Sequence, residues 1–283
     1  MPASAAASCA VVALASQAAA SARLQQACAA RGVACEVLHP ARLPPPGAPG
    51  APALLLVRLP SGTPPALLGP LLDHERAGTA CLNRPSALRV AHGKHESLRV
   101  LAAAGLSVPP TVCVQRDGES SLDALPGETF VVKPATGGSG RGVTVGLSRE
   151  QARRCAEAFA EASGAALVQP LLGGGVDRRL FVVGGRVVAA LLRRPAGAGG
   201  RGNLIYGAGA EPLQPAPEEA ALALAAVAAL SLDVAAADLL VHEDRAVLLE
   251  VNACPGLAGI EEATGCDVAG AIAELAAARL RLR

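Results

Sequence analysis

Asp238, Glu250 and Asn252 are hard oxygen donors on a stretch whose pattern can bring them together. The run 234–256, VAAADLLVHEDRAVLLEVNACPG, reads as two apolar strands around a polar turn. Strands over Ala237–His242 and Ala246–Asn252, joined by a three-residue turn Glu243-Asp244-Arg245, set Asp238 opposite Glu250. Alternation along a strand then puts Glu250 and Asn252 on one face and Val251 on the other. Carboxylates directly across a ladder repel unless a cation lies between them, and this oxygen set suits Mg²⁺ bridging to phosphate. A solvated surface hairpin would use the same residues, and a one-residue register slip would undo the alignment.

Lysine is scarce here: the chain has 23 Arg but two Lys, Lys94 and Lys133, and three Asn, at 83, 203 and 252. An ammonium is a compact point charge and a guanidinium a planar fork, so a site that needs one does not accept the other. Lys133 ends an apolar run, Phe130–Pro134, and the glycine-rich segment Thr136–Gly142 follows it. That segment joins two strand candidates and lacks Gly-Lys-Ser/Thr, so it is not a P-loop. Bare backbone N–H groups in a glycine hairpin can still approach phosphate oxygens closely, although a flexible linker would read the same way. Asp177, two residues before Arg179, can accept hydrogen bonds from a ribose at a cleft mouth. Arg193, Arg194, Arg201 and Asn203 form a donor-rich group suited to carboxylate or phosphate. Solvated turns are the alternative for both.

The elements that must position these residues alternate between strand and helix. Strands at Ala10–Ala15, Ala34–Leu38 and Leu54–Leu59, with a helix over Ser21–Arg31 closed by Gly32, predict a parallel α/β lobe. No glycine-rich turn follows Leu14, which disfavours a nicotinamide-dependent oxidoreductase. Helices are expected over Pro64–Ala77, Pro85–His92 and Lys94–Ala104, from Ser148 to Ser163 behind a Ser-x-x-Gln151 capping box, over Pro217–Leu232, and over Asp267–Leu282. Further strands are expected at Val143–Gly146 and Ala166–Val168. Leu180–Val183 and Val187–Leu191 make a hairpin through Gly184-Gly185.

A net charge of +1 gives no reason to expect a nucleic-acid surface. Eight cysteines, with no C-x-x-C pair and no cluster at zinc spacing, fit reduced thiols in a cytoplasmic protein. The uncharged first 22 residues lack a basic n-region and read as the opening of a domain rather than an export signal. The apolar run Ala220–Leu232 is too short to span a membrane. The five histidines show no partner spacing and are expected on the surface or on helix faces.

In this order, LNRPSAL at 82–88, FVVKPATGGSGRGV, LVQPLL, DRRLFVVGGRVVAALLRR, RGN and then Asp238 with LLEVNACPGLAGIE resemble the ATP-grasp superfamily. Within it the match is to RimK-type ligases, which add glutamate to a ribosomal protein's C-terminus. The resemblance implies an ATP-grasp fold of α/β (α+β) lobes: a Rossmann-like pre-ATP-grasp lobe over 1–93, a central lobe over 94–168 and a C-terminal lobe over 169–283. It implies ATP-phosphate contacts from Lys94, Lys133 and the loop residues Thr136, Gly137, Gly138, Ser139 and Gly140. Adenine would be held by Gln169, Pro170, Leu171 and Leu172, and ribose by Asp177. Arg201, Gly202 and Asn203 would meet nucleotide or substrate, with Arg179 and Arg194 also on the substrate side. Asp238, Glu250 and Asn252 would hold two Mg²⁺, or Mn²⁺. The catalytic assignments are Arg193, for the acyl phosphate, and Lys133.

The implied activity is ATP-dependent carboxylate–amine ligation through an acyl phosphate, with an amino acid, glutamate, as amine and a protein or peptide carboxylate as acceptor. A protein C-terminus is the type of acceptor expected, with no nucleic acid or membrane partner; a homo-oligomer is left open. An amino-group-carrier acceptor and a non-catalytic ATP-binding regulator are the alternatives. Pro170, Gly202, Tyr206 and Cys254 depart from the family pattern, and Tyr206 weakens the choice of glutamate.

Overall fold

Apolar runs of strand length and amphipathic helical segments build three sheets in this computed structural model, which describes residues 8–116, 118, 121–136, 142–173, 175–194 and 209–282. The first sheet takes β1 (Cys9–Ala13), β2 (Cys35–Leu38), β3 (Leu54–Arg58) and β4 (Ala80–Leu82), all parallel, in the order β2-β1-β3-β4. β1 and β3 are buried along their whole length, which is why both read as continuous apolar runs. The helix α1 (Ala18–Ala29) connects β1 to β2, and Gly32, at φ +70°, turns the chain after it. The helix expected over Pro64–Ala77 divides into a 3-10 turn, Pro65–Leu68, and α2 (Gly69–Arg76). Pro70 explains the break: its ring is tolerated in the first turn of a helix and clashes in the interior.

Two short helices, α3 (Pro85–His92) and α4 (Lys94–Ala103), lead to the second sheet. It is antiparallel in the order β5-β8-β6-β7, from β5 (Val112–Gln115), β6 (Phe130–Pro134), β7 (Thr144–Leu147) and β8 (Ala165–Pro170). One face is covered by α5 (Arg149–Ser163), whose Ser148–Gln151 capping box is formed in both directions.

The third sheet runs β11-β10-β9-β12-β13, from β9 (Asp177–Val183), β10 (Arg186–Arg194), β11 (Gly209–Pro212), β12 (Val234–His242) and β13 (Arg245–Asn252). The helices α6 (Pro217–Ala229), α7 (Ala258–Thr264) and α8 (Val268–Arg281) accompany it. Two clusters of buried side chains run through both the first and third sheets, one joining Ala10 and Val12 to Leu180 and Val182, the other joining Val11 and Leu24 to Phe181 and Ile272. The second sheet keeps a separate core around Phe130, Val132 and Ala156.

One expectation needs correction. His74 is a core residue: buried on α2, it has the Thr79 hydroxyl 3.0 Å from Nδ1 and the Pro44 carbonyl 2.8 Å from Nε2. His92, half-buried at the end of α3, sets Nε2 3.0 Å from the Leu59 carbonyl. The cysteines have no zinc spacing in sequence, yet strand pairing joins Cys9 and Cys35 and α1 lays Cys28 over them. Among the described residues, no helix is long and apolar enough to cross a membrane.

Candidate active site

The β12–β13 hairpin pairs Asp238 with Glu250, but not through the turn the sequence suggested. The turn is two residues, Glu243 and Asp244, both at positive φ (48° and 60°), with His242 opposite Arg245. Continued without a break, that register would set Asp238 against Leu249. A bulge between Leu248 and Glu250 absorbs the extra residue and restores the Asp238–Glu250 pair. Asn252 follows on the same face as Glu250.

Asp238 also faces Arg179 on its other side, since β12 pairs with β9 in that register. Arg179 donates through Nε and Nη2 to the two Asp238 oxygens at 2.7 and 2.6 Å, a fork-to-fork geometry. Arg193, paired in register with Asp177 on β9, donates Nε to Asp177 at 2.5 Å and places Nη2 3.1 Å from Asp238. The Arg193 and Asp238 side chains are 4% and 5% exposed, so this pairing lies out of water.

Burial alone would raise the Asp238 carboxyl; Arg179 and Arg193 overcome it and hold the pKa down at about 2. Asp177 goes the other way, to about 7, because burial and the neighbouring Asp238 charge outweigh Arg193. Arg193 therefore serves two carboxyls that titrate as a linked pair, with Asp238 the ionised partner.

Both scarce lysines come to the other edge of this cluster. Lys94, the first residue of α4, sets Nζ 3.2 Å from Glu250 Oε2, and its N–H meets the Ala135 carbonyl at 3.3 Å. Burial raises the Glu250 carboxyl, and the Lys94 charge brings it below its ordinary value. Lys133, buried on β6, is pushed down to about 8 by burial, a fall that Glu250 opposes and Lys94 reinforces. A strand end, a helix start and a bulged hairpin thus gather cations and anions from different parts of the chain.

The metal-type donors fit a hard divalent cation. Glu250 is 40% exposed at its side chain. Of about four lone-pair sites on the Asp238 oxygens, Arg179 and Arg193 take three, which leaves one for a cation, and the Asn252 Oδ1, which accepts the Cys254 N–H at 3.0 Å, has a second. Carboxylates and an amide oxygen on neighbouring strands are the ligand chemistry Mg²⁺ takes.

Other candidates are placed less centrally. Gln169 is buried with Nε2 donating 2.7 Å to the Thr111 hydroxyl, and Pro170 ends β8. Leu171 donates its N–H to Thr129 at 2.8 Å and is partly exposed, and Leu172 follows into the connection with β9. Thr136 is exposed just past β6. Arg194 is not brought to the cluster: alternation turns it away from Arg193, and it pairs with Glu211 at 3.2 Å in solvent. Gly137, Gly138, Ser139, Gly140, Arg201, Gly202, Asn203 and Tyr206 lie outside the described residues.

Two positioning residues escaped the sequence reading. Asn83 is buried and satisfies both ends of the hairpin: Nδ2 donates to the Val234 and Ala253 carbonyls (2.7 and 3.0 Å), while Oδ1 accepts from the Asp233 and Val234 N–H groups (2.7 Å each). The rarity of Asn was the available signal. Arg58, buried at the end of β3, donates Nη2 to the Pro255 carbonyl at 2.5 Å and so fixes the segment after Asn252.

Comparison with known proteins bears on this geometry. Residues 91–276 match the RimK-like ATP-grasp domain. A probable alpha-L-glutamate ligase of Aliivibrio fischeri (strain MJ11) is 37% identical over 206 residues, 71% of this chain and 68% of that one. The ribosomal protein bS6–L-glutamate ligase of Shigella boydii serotype 4 (strain Sb227) is 36% identical over 204 residues, again 71% and 68%. Among solved structures, the ATP-grasp ligase PsnB complexed with a phosphomimetic variant of its minimal precursor, Mg and ADP superposes with a TM-score of 0.73 at 20% identity, covering 97% of this chain and 99% of that one.

Proposed function

The chain belongs to the RimK-like ATP-grasp family, and we propose that it is an ATP-dependent ligase joining an amino acid, glutamate first among candidates, to a protein or peptide carboxylate. The observation that carries this reading is the meeting of Lys94, Lys133, Arg179 and Arg193 with Asp238 and Glu250 across separate sheets. Such an array suits phosphoryl transfer, where positioning and charge neutralisation supply most of the acceleration.

In the proposed reaction the acceptor carboxylate attacks the γ-phosphorus of ATP, the bond to the β-γ bridging oxygen breaks, and an acyl phosphate and ADP form. The amino group of the amino acid then adds to the acyl carbon; phosphate leaves, a proton is lost from nitrogen, and an amide remains. Lys133 and Lys94 hold phosphate oxygens by fixed positive charge, and Arg193 steadies the acyl phosphate with its planar fork. Asp238, Glu250 and Asn252 would hold Mg²⁺, as two ions with Mn²⁺ able to replace them, and Arg179 keeps Asp238 ionised and oriented. Mg²⁺ held there supplies charge neutralisation at the phosphates. Gln169 to Leu172 receive the adenine along the backbone, Asp177 the ribose, and Thr136 with Gly137, Gly138, Ser139 and Gly140 the phosphates. Arg201, Gly202 and Asn203 serve nucleotide and substrate, and Arg194 the outer acceptor.

The three sheets support three lobes near 1–93, 94–168 and 169–283, with β8 carrying the central one on to Pro170. Eight free cysteines support work in a reducing cytoplasm. The test is ADP release with Mg²⁺ over a panel of amino acids and carboxylate acceptors. Glutamate-dependent ADP release with amide formed on a peptide C-terminus is expected. Tight ATP binding with no amino-acid-dependent ADP for any acceptor would replace the ligase with a regulator.

A further inference from the structure

Three thiols distant in sequence meet on the α1 side of the first sheet, and the ligase reading uses none of them. Cys9 and Cys35 open β1 and β2 and are register partners in parallel strands, so their side chains leave the same face. Cys28 lies on the buried stripe of α1 with Ser21, Leu24 and Ala27, over that face. All three Sγ atoms lie within 4.8 Å of one another. Cys9 and Cys28 are fully buried and Cys35 is partly exposed, which leaves one corner of the triangle open to solvent.

The dimensions suit a metal. A thiolate–metal bond of about 2.3 Å in a trigonal plane sets its sulfurs about 4.0 Å apart. Closing the triangle to that size needs a contraction below about 1 Å, within reach of χ1 adjustment. Among the described residues no carboxylate or imidazole belongs to the group, and its donors are soft. Val11, Leu24 and Val33 pack alongside and keep the neighbourhood apolar.

We propose that Cys9, Cys28 and Cys35 form a three-thiolate site for a thiophilic d¹⁰ cation, Cu(I) or Zn(II). Binding exchanges thiol protons for the metal, releases them to solvent and changes no oxidation state. Bound metal ties β1, β2 and α1 together. Through α1 it stiffens the contact with α7 and α8, where Arg23 pairs with Glu261 and Asp267 and Arg31 with Asp267 and Glu274.

The experiment titrates the reduced full-length chain, under anaerobic conditions, with Cu(I) and separately with Zn(II) against chromophoric chelators. One equivalent of one metal should be retained, with proton release, an ultraviolet thiolate-to-metal band and a raised thermal midpoint. Retention of Cu(I) alone assigns a three-coordinate monovalent site; retention of Zn(II) assigns a divalent site completed by water at the Cys35 corner. Cys28→Ser should weaken binding at least 100-fold and Cys266→Ser should leave it unchanged. Should Cys28→Ser fail to fold by circular dichroism, Cys35→Ser at the partly exposed corner decides. Neither metal retained by the folded wild type, or equal retention by the folded triangle variants, would overturn the site.

Discussion

The central sheet carries its own core, built on Phe130, Val132, Leu122 and the inner face of α5, whereas the first and third sheets share two interior clusters. The fused pair holds Asp177 and Asp238 against the buried Arg193 and the half-buried Arg179 and sets Glu250 beside them on the neighbouring strand. From the central sheet comes Lys133, buried and without an arginine-like fork. The two bodies meet where the Lys94 N–H reaches the Ala135 carbonyl, and the same residue carries its Nζ to Glu250. One body thus holds the anions on cross-strand partners, and the other brings Lys133 to them from a sheet with its own core.

The comparison breaks first at Glu250, the carboxylate of the fused body that faces the lysines. Glu250→Gln should lower amino-acid-dependent ADP release about 10³-fold, the scale of losing a charge-positioning group. Because the side chain is 40% exposed, thermal unfolding should hardly move. Near-normal turnover in this variant would remove Glu250 from the metal and phosphate machinery.

Separate cores make a second demand. Phe130 is fully buried in the central cluster, with the Arg149 guanidinium 4.7 Å above its ring. Phe130→Ala should cost about 3–4 kcal/mol, and hydrogen exchange should show the loss confined to β5–β8. Equal loss of protection in β1 and β3 would mean that the bodies unfold as one.

Asn83 tests the fused side. Asn83→Ala leaves the Val234 and Ala253 carbonyls and two N–H groups without their partner, at a cost of about 3 kcal/mol. Denaturant unfolding should show a lower midpoint, with protection lost at β12 and β13 before β6 and β8. A variant as stable as wild type would make the staple incidental.

How much of this was legible in sequence depended on range. The β1–α1–β2 alternation, the capping box at Ser148 and the Gly184-Gly185 hairpin are written in local periods and turn residues, and they appear as read. The Asp238–Glu250 pair was reached through the wrong turn: a shorter turn and a bulge at Leu249 cancel, and no pattern in the strand announces a bulge. Arg179, expected on the substrate side, has its carboxylate partner on a strand 59 residues away, a pairing set by sheet order. Cys9, Cys28 and Cys35 have no metal-motif spacing and meet through one strand pair and one helix. β4 is three residues long, too short to show a period, and it hid the placement of Asn83 directly after it.

The smallest effect is a pH dependence that separates the two bodies by their charge chemistry. Burial holds the Lys133 pKa near 8, while on the fused side the Asp238 and Asp177 charges outweigh burial and push the Arg193 guanidinium up. The folded pKa lies below the ordinary lysine value, so between about 8 and 10.5 the unfolded chain binds more protons than the folded one. The sign is therefore a rise in stability with pH across that window, as the buried charge is relieved. Activity should move oppositely, because phosphate contact needs the ammonium: ADP release should fall about tenfold per pH unit above 8. Lys133→Arg should flatten that alkaline limb at a reduced plateau, since a fork keeps its charge but not the point geometry. An unchanged limb in Lys133→Arg would move the titration to another group and leave the central sheet without its cation's part in the site.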